Sequence, residues 1–268
     1  MKLVGVQSAV TSDAVEENVD RALGRVREAA AAGADLVVLP ELFDVGYFAF
    51  DAYERAAESL AGDRLSRFAA AAADGDVAVL AGTVVEDLEA SAADGLAVPA
   101  ESGLANAAVL FDADGDRRLV YRKRHLFGYG SAETDRMVPG EGVPTAMVAG
   151  VTVGVATCYD LRFPEQFRAM VDRGVECVLV PSAWPYPRVE HWRTLGRARA
   201  IENLTYLAAV NGTGAFDGDA LCGRSAVYDP WGTALASLGE DPDVVAATVD
   251  ADRVAEVRAE FPALRDRR

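Results

Sequence analysis

Short apolar runs and longer amphipathic segments alternate along the N-terminal part of the chain. The first run, "KLVGVQSA", has the length of a strand, and residues 12–33 follow with apolar positions at helical spacing. Asp13 and Glu16 stand three positions apart and predict a capping box at the start of this helix, with Gly33 near its end. A second buried strand is predicted at "ADLVVLPELF".

The same order recurs in the second half of the chain. "VTVGVATC" predicts a strand, residues 162–174 ("RFPEQFRAMVDRG") a helix and "VECVLVPSAW" a second strand. "GADLVVLPE" in the first unit is echoed by "GVECVLVPS" in the other. Two strand-helix-strand units of this kind predict an α/β fold.

The remaining apolar runs predict further strands and hairpins. Strands are expected at "DVAVLAGTVVE", "LANAAVLFD", "RRLVYRKRHLF", "TYLAAVNG" and "DVVAATVD", with a hairpin around residues 229–232 and a short terminal helix. Hairpins mixed with helical crossovers indicate sheets that are not purely parallel, with helices on their outer faces. Since no linker or low-complexity run divides the chain, we predict one domain over residues 1–268.

The charge and the length of the apolar runs exclude two classes of partner. A net charge of −16 argues against nucleic acid, because binding to phosphates depends on clusters of Lys and Arg. The apolar runs are much shorter than the roughly 20 residues that span a bilayer, and the N-terminus enters a strand directly. We therefore expect a cytoplasmic protein with no membrane partner.

The basic residues are almost all arginines. Only Lys2 and Lys123 among the 26 basic residues are lysines. An acidic, lysine-poor surface keeps a protein solvated at high salt, which suggests a salt-loving host; a codon bias toward arginine is the alternative. In either case Lys123 is retained in a chain that almost never uses lysine.

The cysteines and histidines do not have the spacing of a metal site. The spacing of Cys158, Cys177 and Cys222 matches neither a disulfide pair nor a metal-binding motif. Only His125 and His191 are present to help them bind a metal. We therefore expect no structural metal, no disulfide framework and no cofactor. Cys177 is predicted to lie in the core and Cys222 in a loop.

Three chemically competent residues follow predicted strands. Glu41 comes after "LVVLP", Lys123 after "LVYR" and Cys158 after "VGVAT". In α/β sheets functional groups gather beyond the carboxyl ends of strands. A carboxylate, an ammonium and a thiol brought together there would form a set capable of covalent catalysis.

Such a thiol needs activation, because its ordinary pKa of about 8.5 leaves it mostly protonated at neutral pH. Asp160, Arg162 and Pro164 follow Cys158 in a turn and first helical turn, whose free N–H groups would point toward the sulfur. No Cys-His arrangement is supported, so a carboxylate would be the base. Glu41 suits this role, because burial would raise its pKa toward neutrality.

Each of these residues also has a structural explanation. A single cysteine at a strand end is commonly a small core residue, a Pro-Glu pair often lies in a solvated loop, and a lysine between arginines is commonly an exposed edge. Accordingly, a non-catalytic α/β binding or redox-sensing protein, with Cys158 buried, is the alternative from another class.

Taken together, the motifs "LPELFDVGY", "YRKRHLF" and "CYDLRFPE" resemble, in this order, those of the nitrilase superfamily of carbon-nitrogen hydrolases. "HWRTLGRARAIEN" and "GRSAVYDPWG" resemble later blocks of the family, so the resemblance covers nearly the whole chain. It implies a four-layer α-β-β-α sandwich and a homodimer formed through helices and the C-terminal segment.

The resemblance also implies roles for individual residues. Glu41 would be the general base and acid, Lys123 the oxyanion stabiliser and Cys158 the nucleophile, with Glu133 in "SAETDRMVPG" supporting the site. The oxyanion would also be held by the backbone N–H of Tyr159. Attack on a small amide would give a thioester and ammonia, and water would then hydrolyse the thioester.

Within the superfamily, "CYDLRFPE" and "SAWPYPRVEHW" most resemble the omega-amidase branch, which acts on monoamides of dicarboxylates such as 2-oxoglutaramate. An N-carbamoyl hydrolase or a deaminated-glutathione amidase would use the same triad. True nitrilases usually carry a tryptophan after the nucleophile, where this chain has Tyr159.

Four residues are candidates for binding substrate: Tyr47, Tyr159, Arg162 and Trp184. Arg162 could clamp a substrate carboxylate with its planar fork, or it could pair with Glu165 or Asp160 to brace the turn. Tyr47 and Trp184 are candidate pocket walls, with a position in the core as the alternative.

Overall fold

The computed structural model describes residues 1–129, 131–216 and 218–268. The strands are β1 (Lys2–Gln7), β2 (Leu36–Val38), β3 (Ala78–Leu80), β4 (Val84–Asp87), β5 (Leu104–Phe111), β6 (Arg117–Arg122), β7 (Thr145–Val148), β8 (Val151–Val155), β9 (Cys177–Ser182), β10 (Tyr206–Asn211), β11 (Thr213–Phe216), β12 (Asp219–Cys222), β13 (Ala226–Tyr228), β14 (Ala234–Ser237) and β15 (Asp243–Thr248). The α-helices are α1 (Val15–Ala31), α2 (Tyr53–Ala56), α3 (Asp63–Gly75), α4 (Leu88–Ala93), α5 (Glu133–Arg136), α6 (Pro164–Val171), α7 (Val189–Asn203) and α8 (Ala251–Glu260). Short 3₁₀-helices span Phe50–Ala52, Cys158–Arg162 and Pro262–Leu264.

The strands form two large mixed sheets and a small ribbon. The first sheet has the order β15-β1-β2-β3-β5-β4, with β6 paired to β5, and the second has the order β14-β13-β10-β9-β8-β7. In each sheet three central strands are parallel, and the outer strands pair antiparallel. Strands β11 and β12 form the ribbon. The prediction of sheets that are not purely parallel is confirmed.

Both predicted strand-helix-strand units are present. Helix α1 connects the parallel pair β1 and β2 in the first sheet, and α6 connects the parallel pair β8 and β9 in the second. The weak sequence repeat therefore corresponds to one equivalent unit in each sheet.

Alternating side chains in the central strands produce the layers. In β2, Leu36 and Val38 belong to the core between the two sheets, whereas Val37 packs in the core that contains α1 and α3. In β9, Leu179 faces the other sheet and Val178 packs with residues of α6 and α7. Since both faces of each sheet are buried, the fold is the expected α/β four-layer α-β-β-α sandwich.

A glycine lies where β1 of the first sheet faces β10 of the second. A Cβ atom placed on Gly5 of β1 would lie 2.6 Å from a methyl group of Val210 on β10. Gly5 therefore allows the two sheets to pack at this point, and a larger residue would force them apart.

The structure corrects several local predictions. The capping box at Asp13 and Glu16 is wrong, because Asp13 has φ 59° and the helix begins after Ala14 without a side-chain cap. The predicted strand "DVAVLAGTVVE" is divided into β3 and β4, because Gly82 turns the chain with φ 38°. A Cβ there would lie 2.0 Å from the carbonyl oxygen of Pro40. Only glycine fits this turn, which packs directly beside the segment that carries Glu41.

Two further differences concern the second half of the chain. Cys222 was predicted in a loop but ends strand β12 and is buried. The motif "HWRTLGRARAIEN", for which no element was predicted, forms most of α7. Cys177 lies in the core on β9, as predicted. In the described ranges no helix is long and apolar enough to cross a membrane.

Candidate active site

Four chemically active side chains meet beyond strand ends. Glu41 follows β2, Lys123 follows β6, Cys158 follows β8, and Glu133 begins α5. All four are buried, and the Cys158 residue is 8% exposed. The structure therefore brings Glu41, Lys123 and Cys158 together, and Glu133 joins them.

The Lys123 ammonium is the centre of this cluster. Its Nζ lies 2.8 Å from Oε1 of Glu41 and 2.9 Å from each carboxylate oxygen of Glu133. Burial alone would lower the pKa of Lys123, but the negative charges of Glu133 and Glu41 outweigh it and hold the pKa well above its ordinary value. The side chain is therefore a permanent cation in the site.

The glutamate and the thiol are arranged for proton transfer. The Glu41 carboxylate and the Cys158 thiol are neighbours in the site, and each affects the pKa of the other. Burial, followed by the charge of Glu41, raises the pKa of Cys158 well above its ordinary value, so the resting sulfur is a thiol. Burial also raises the pKa of Glu41, although Lys123 opposes this shift. A thiol that does not ionise by itself needs a neighbouring base, and Glu41 is positioned to be that base.

Cys158 lies at a strained point of the backbone. Its φ is 47°, in the left-handed region that residues other than glycine rarely adopt, and the 3₁₀-helix Cys158–Arg162 begins there. Strain of this kind is concentrated at functional sites.

The turn after Cys158 is braced by Asp160. Its carboxylate accepts hydrogen bonds from the backbone N–H of Thr157 at 2.7 Å and of His125 at 3.1 Å, and from the hydroxyl of Tyr121. These contacts tie the nucleophile turn to the segment that carries Lys123. Within the described residues Arg162 forms no ion pair with Asp160 or Glu165, and its NH2 lies near Nδ1 of His191 instead.

A cavity of about 220 Å³ opens beside Cys158. It is lined by Tyr47, Phe48, Phe127, Tyr129, Cys158, Tyr159, Arg162, Ala183, Trp184, Pro185, Arg188 and Asp219. All four residues predicted to bind substrate are in this lining.

The cavity wall places two arginines beside aromatic rings. The guanidinium of Arg162 lies 5.7 Å from the ring centre of Tyr159 and 5.1 Å from that of Trp184, and its NH2 is 3.1 Å from Nδ1 of His191. Arg188, which sequence reasoning missed, lies 5.5 Å from the ring of Phe127. Arginine stacked on aromatic rings keeps its planar fork available for a carboxylate.

Tyr47 and Trp184 line the cavity and are also buried in the core. Tyr47 is buried and its hydroxyl lies 2.9 Å from Oγ of Ser131 and 3.2 Å from Oε2 of Glu133. The indole of Trp184 donates to the carbonyl of Arg188 at 2.9 Å. Trp184 thereby fixes the backbone that carries the second arginine of the cavity.

Sequence reasoning also missed Asn106 and the backbone of Ala183. Asn106, on β5, donates from Nδ2 to Glu41 at 2.9 Å and to Glu133 at 3.0 Å. The N–H of Ala183 donates to Oε2 of Glu41 at 2.9 Å. A polar residue inside the apolar run "LANAAVLF" was the signal for Asn106, whereas a backbone donor leaves no signal in the sequence.

No metal site accompanies these groups in the described part of the chain, where no set of three or more His, Cys, Asp or Glu side chains could hold an ion.

The sequence profile of the carbon-nitrogen hydrolases matches residues 3–259. The chain belongs to the carbon-nitrogen hydrolase family. This hydrolase is 37% identical over 240 residues to a 2-oxoglutaramate amidase of Paenarthrobacter nicotinovorans, covering 88% of this chain and 79% of the relative. It is 31% identical over 274 residues to an omega-amidase of Homo sapiens, covering 97% and 91%. The chain is thus an amidase-type enzyme rather than the non-catalytic alternative.

Solved structures show the same architecture. A CN-hydrolase superfamily protein of Xanthomonas campestris, with an arsenic adduct in its active site, has a TM-score of 0.88 at 33% identity and covers 100% of this chain and 97% of its own. A mutant amidase of Nesterenkonia sp. AN1 has a TM-score of 0.79 at 29% identity, covering 97% of both chains. Its active-site cysteine carries the product of Michael addition of acrylamide.

Proposed function

We propose that this carbon-nitrogen hydrolase is an omega-amidase, which cleaves the terminal amide of a short dicarboxylate monoamide such as 2-oxoglutaramate. One observation carries this proposal: Arg162 and Cys158 line the same small cavity. The relatives named 2-oxoglutaramate amidase and omega-amidase support the choice.

In the first step, Cys158 attacks the amide carbonyl carbon while its thiol proton passes to Glu41. The carbon-sulfur bond forms and the carbonyl electrons move to oxygen. The Lys123 ammonium and the backbone N–H of Tyr159 stabilise this oxyanion. Tyr159 is suited to this, because the first N–H groups of a short helix have no acceptor within it.

In the second step, Glu41 gives its proton to the amide nitrogen, the carbon-nitrogen bond breaks and ammonia leaves. A water molecule, deprotonated by Glu41, then attacks the thioester carbonyl. The second tetrahedral intermediate expels the Cys158 sulfur, which recovers a proton from Glu41. Glu133 is a positioning residue here, because both its oxygens hold the Lys123 ammonium.

The far end of the substrate is recognised by charge. We assign Arg162 to the carboxylate of the dicarboxylate monoamide, with Arg188 as a second cation on the same cavity wall. Tyr47, Tyr159 and Trp184 form the sides of the cavity. A guanidinium clamp of this type favours a charged substrate over a neutral amide of the same length.

Ammonia release from succinamate and 2-oxoglutaramate, compared with neutral butyramide, tests this assignment. Arg162→Gln should raise KM for succinamate by about 10- to 100-fold, because hydrogen bonds to charged groups contribute about 1.5–3 kcal/mol. It should leave kcat/KM for butyramide within about threefold. Arg197→Gln, which changes an exposed arginine on α7 outside the cavity lining, is the matched control.

Two results would refute the assignment. Equal losses of kcat/KM for succinamate and for butyramide in Arg162→Gln would show that Arg162 does not bind the substrate carboxylate. If the wild-type enzyme prefers an N-carbamoyl amino acid, deaminated glutathione or a nitrile, dicarboxylate monoamides are not its substrate class.

We also propose that residues 1–268 act as one domain, in the cytoplasm, as a homodimer, in a salt-loving host. Three exposed apolar side chains support self-association: Ile201 on α7, Trp231 in the turn between β13 and β14, and Phe261 near the C-terminus. The net charge of −16 supports adaptation to salt. Light scattering would give the oligomeric state, and a melting temperature that falls as KCl rises to molar concentration would count against the salt-loving host.

A further inference from the structure

Asn106 occupies the middle of the buried charge cluster without being charged itself. It is 1% exposed and lies on β5 among apolar neighbours. Its Nδ2 donates one hydrogen bond to Oε1 of Glu41 at 2.9 Å and another to Oε1 of Glu133 at 3.0 Å. One amide group therefore joins the carboxylates of two residues that are 92 positions apart in sequence.

The backbone of Asn106 contacts the third member of the cluster. Its carbonyl oxygen accepts the backbone N–H of Lys123 at 2.9 Å, which continues the pairing of β5 with β6. The backbone of Asn106 thus positions the backbone of Lys123. Its side chain positions two carboxylate oxygens, Oε1 of Glu41 and Oε1 of Glu133, that accept hydrogen bonds from the Lys123 ammonium.

These contacts make the two oxygens of Glu41 unequal. Oε1 accepts from both Lys123 and Asn106, and this uses the two lone pairs of that oxygen. Oε2 accepts a single hydrogen bond among the described residues, from the N–H of Ala183 at 2.9 Å. Oε2 is therefore the oxygen of Glu41 that keeps a lone pair able to receive a proton.

A neutral donor is required for this arrangement. Asn106 supplies one N–H to each carboxylate and adds no charge to a site that already holds two anions and one cation. Aspartate, of nearly the same shape, would add a third acid, and alanine would leave two buried carboxylate oxygens each short of a donor.

We propose that Asn106 is a positioning residue that holds Glu41 ionised and directs proton transfer from Cys158 to Oε2. The inference rests on the roles of Glu41 and Cys158 in the proposed function, and it adds a residue outside the Glu-Lys-Cys set. Because its effect is on proton transfer, it predicts a change in pH dependence rather than in substrate affinity.

The test compares Asn106→Ala and Asn106→Asp with Asn203→Ala. Asn203 is a matched control, since it is equally buried, donates from Nδ2 to the carbonyl of Arg199 at 2.8 Å and, like Asn106, has a buried Oδ1 with no partner in the described residues. The measurements are kcat and KM for succinamate against pH, thermal unfolding, and the rate of iodoacetamide alkylation at Cys158 against pH, located by peptide mass spectrometry.

Both Asn106 variants should move the acid limb of kcat/KM upward by about one pH unit, because lost hydrogen bonds to the ionised form raise a carboxylate pKa. We expect kcat at pH 7 to fall at least about tenfold and KM to change less than about threefold. The pH dependence of iodoacetamide alkylation at Cys158 should also move to higher pH. Asn203→Ala should lower thermal stability without moving either profile.

Profiles of both Asn106 variants that superimpose on the wild-type profile would overturn the proposal. If Asn106→Ala does not fold, the nearly isosteric Asn106→Asp decides the question. Alkylation needs no amide substrate, so it still decides the role of Asn106 if the wild-type enzyme proves inactive on dicarboxylate monoamides.

Discussion

Replacing Lys123 by arginine should remove most turnover although it keeps the positive charge. The Nζ atom donates from a single point to three carboxylate oxygens at 2.8–2.9 Å, and the residue is 1% exposed. A guanidinium is planar and spreads its donors over three nitrogens. It cannot hold Glu41 and Glu133 in this geometry and also reach the oxyanion position.

The size of the effect follows from these contacts. Loss of one preorganised oxyanion donor typically lowers kcat by about 100- to 1,000-fold, and displacement of Glu41 would add to this loss. Forcing a larger group into a closed site costs about 1–3 kcal/mol of folding free energy. Lys123→Met should cost more, about 3–5 kcal/mol, because it leaves two buried carboxylates without their cation.

The assay is kcat for succinamate together with urea unfolding of each variant. Lys2→Arg is the matched control, because Lys2 is the other lysine of the chain and lies partly exposed at the start of β1. It should stay within about 0.5 kcal/mol of wild-type stability and keep full activity. A folded Lys123→Arg enzyme with kcat within about tenfold of wild type would refute the argument from ammonium geometry.

Two further predictions concern the nucleophile and its base. Cys158→Ala should abolish amidase activity and leave the thermal unfolding curve intact, and residual turnover in the purified variant would contradict the thioester route. Burial raises the pKa of Glu41, so activity, which needs the ionised form, should disappear as the pH falls through a value above the ordinary 4.5. A kcat/KM profile whose acid limb lies at or below pH 4.5 would show that Glu41 is not the base.

The strand ends and their residue types could be predicted from the sequence because they follow local patterns. Apolar runs located most of the strands, and Glu41, Lys123 and Cys158 each follow one of them. Local patterns gave wrong element boundaries where tertiary contacts determine the path of the chain. The run around Gly82 is divided because the chain must turn beside Pro40, and no spacing in the run reveals that contact.

The partners of the site were harder to predict because they come from distant segments. Arg188 resembled any other arginine in a chain rich in them, and only its position on the cavity wall distinguishes it. The N–H of Ala183 has no side chain to identify it. Asn106 did leave a trace, since a polar residue in a strand buried on both faces needs partners, and the partners proved to be the glutamates of the site.

The charges of the cluster explain why the thiol and the base must act together. Ionised Glu41 and Glu133 outnumber the Lys123 ammonium, so a thiolate formed by loss of a proton to solvent would add a second uncompensated negative charge in a buried site. Transfer of the proton from Cys158 to Glu41 leaves the net charge unchanged. The high pKa of the thiol is therefore compatible with catalysis, because the reactive sulfur is generated only when its proton moves to Glu41 and the new charge passes onward to the substrate oxygen beside Lys123.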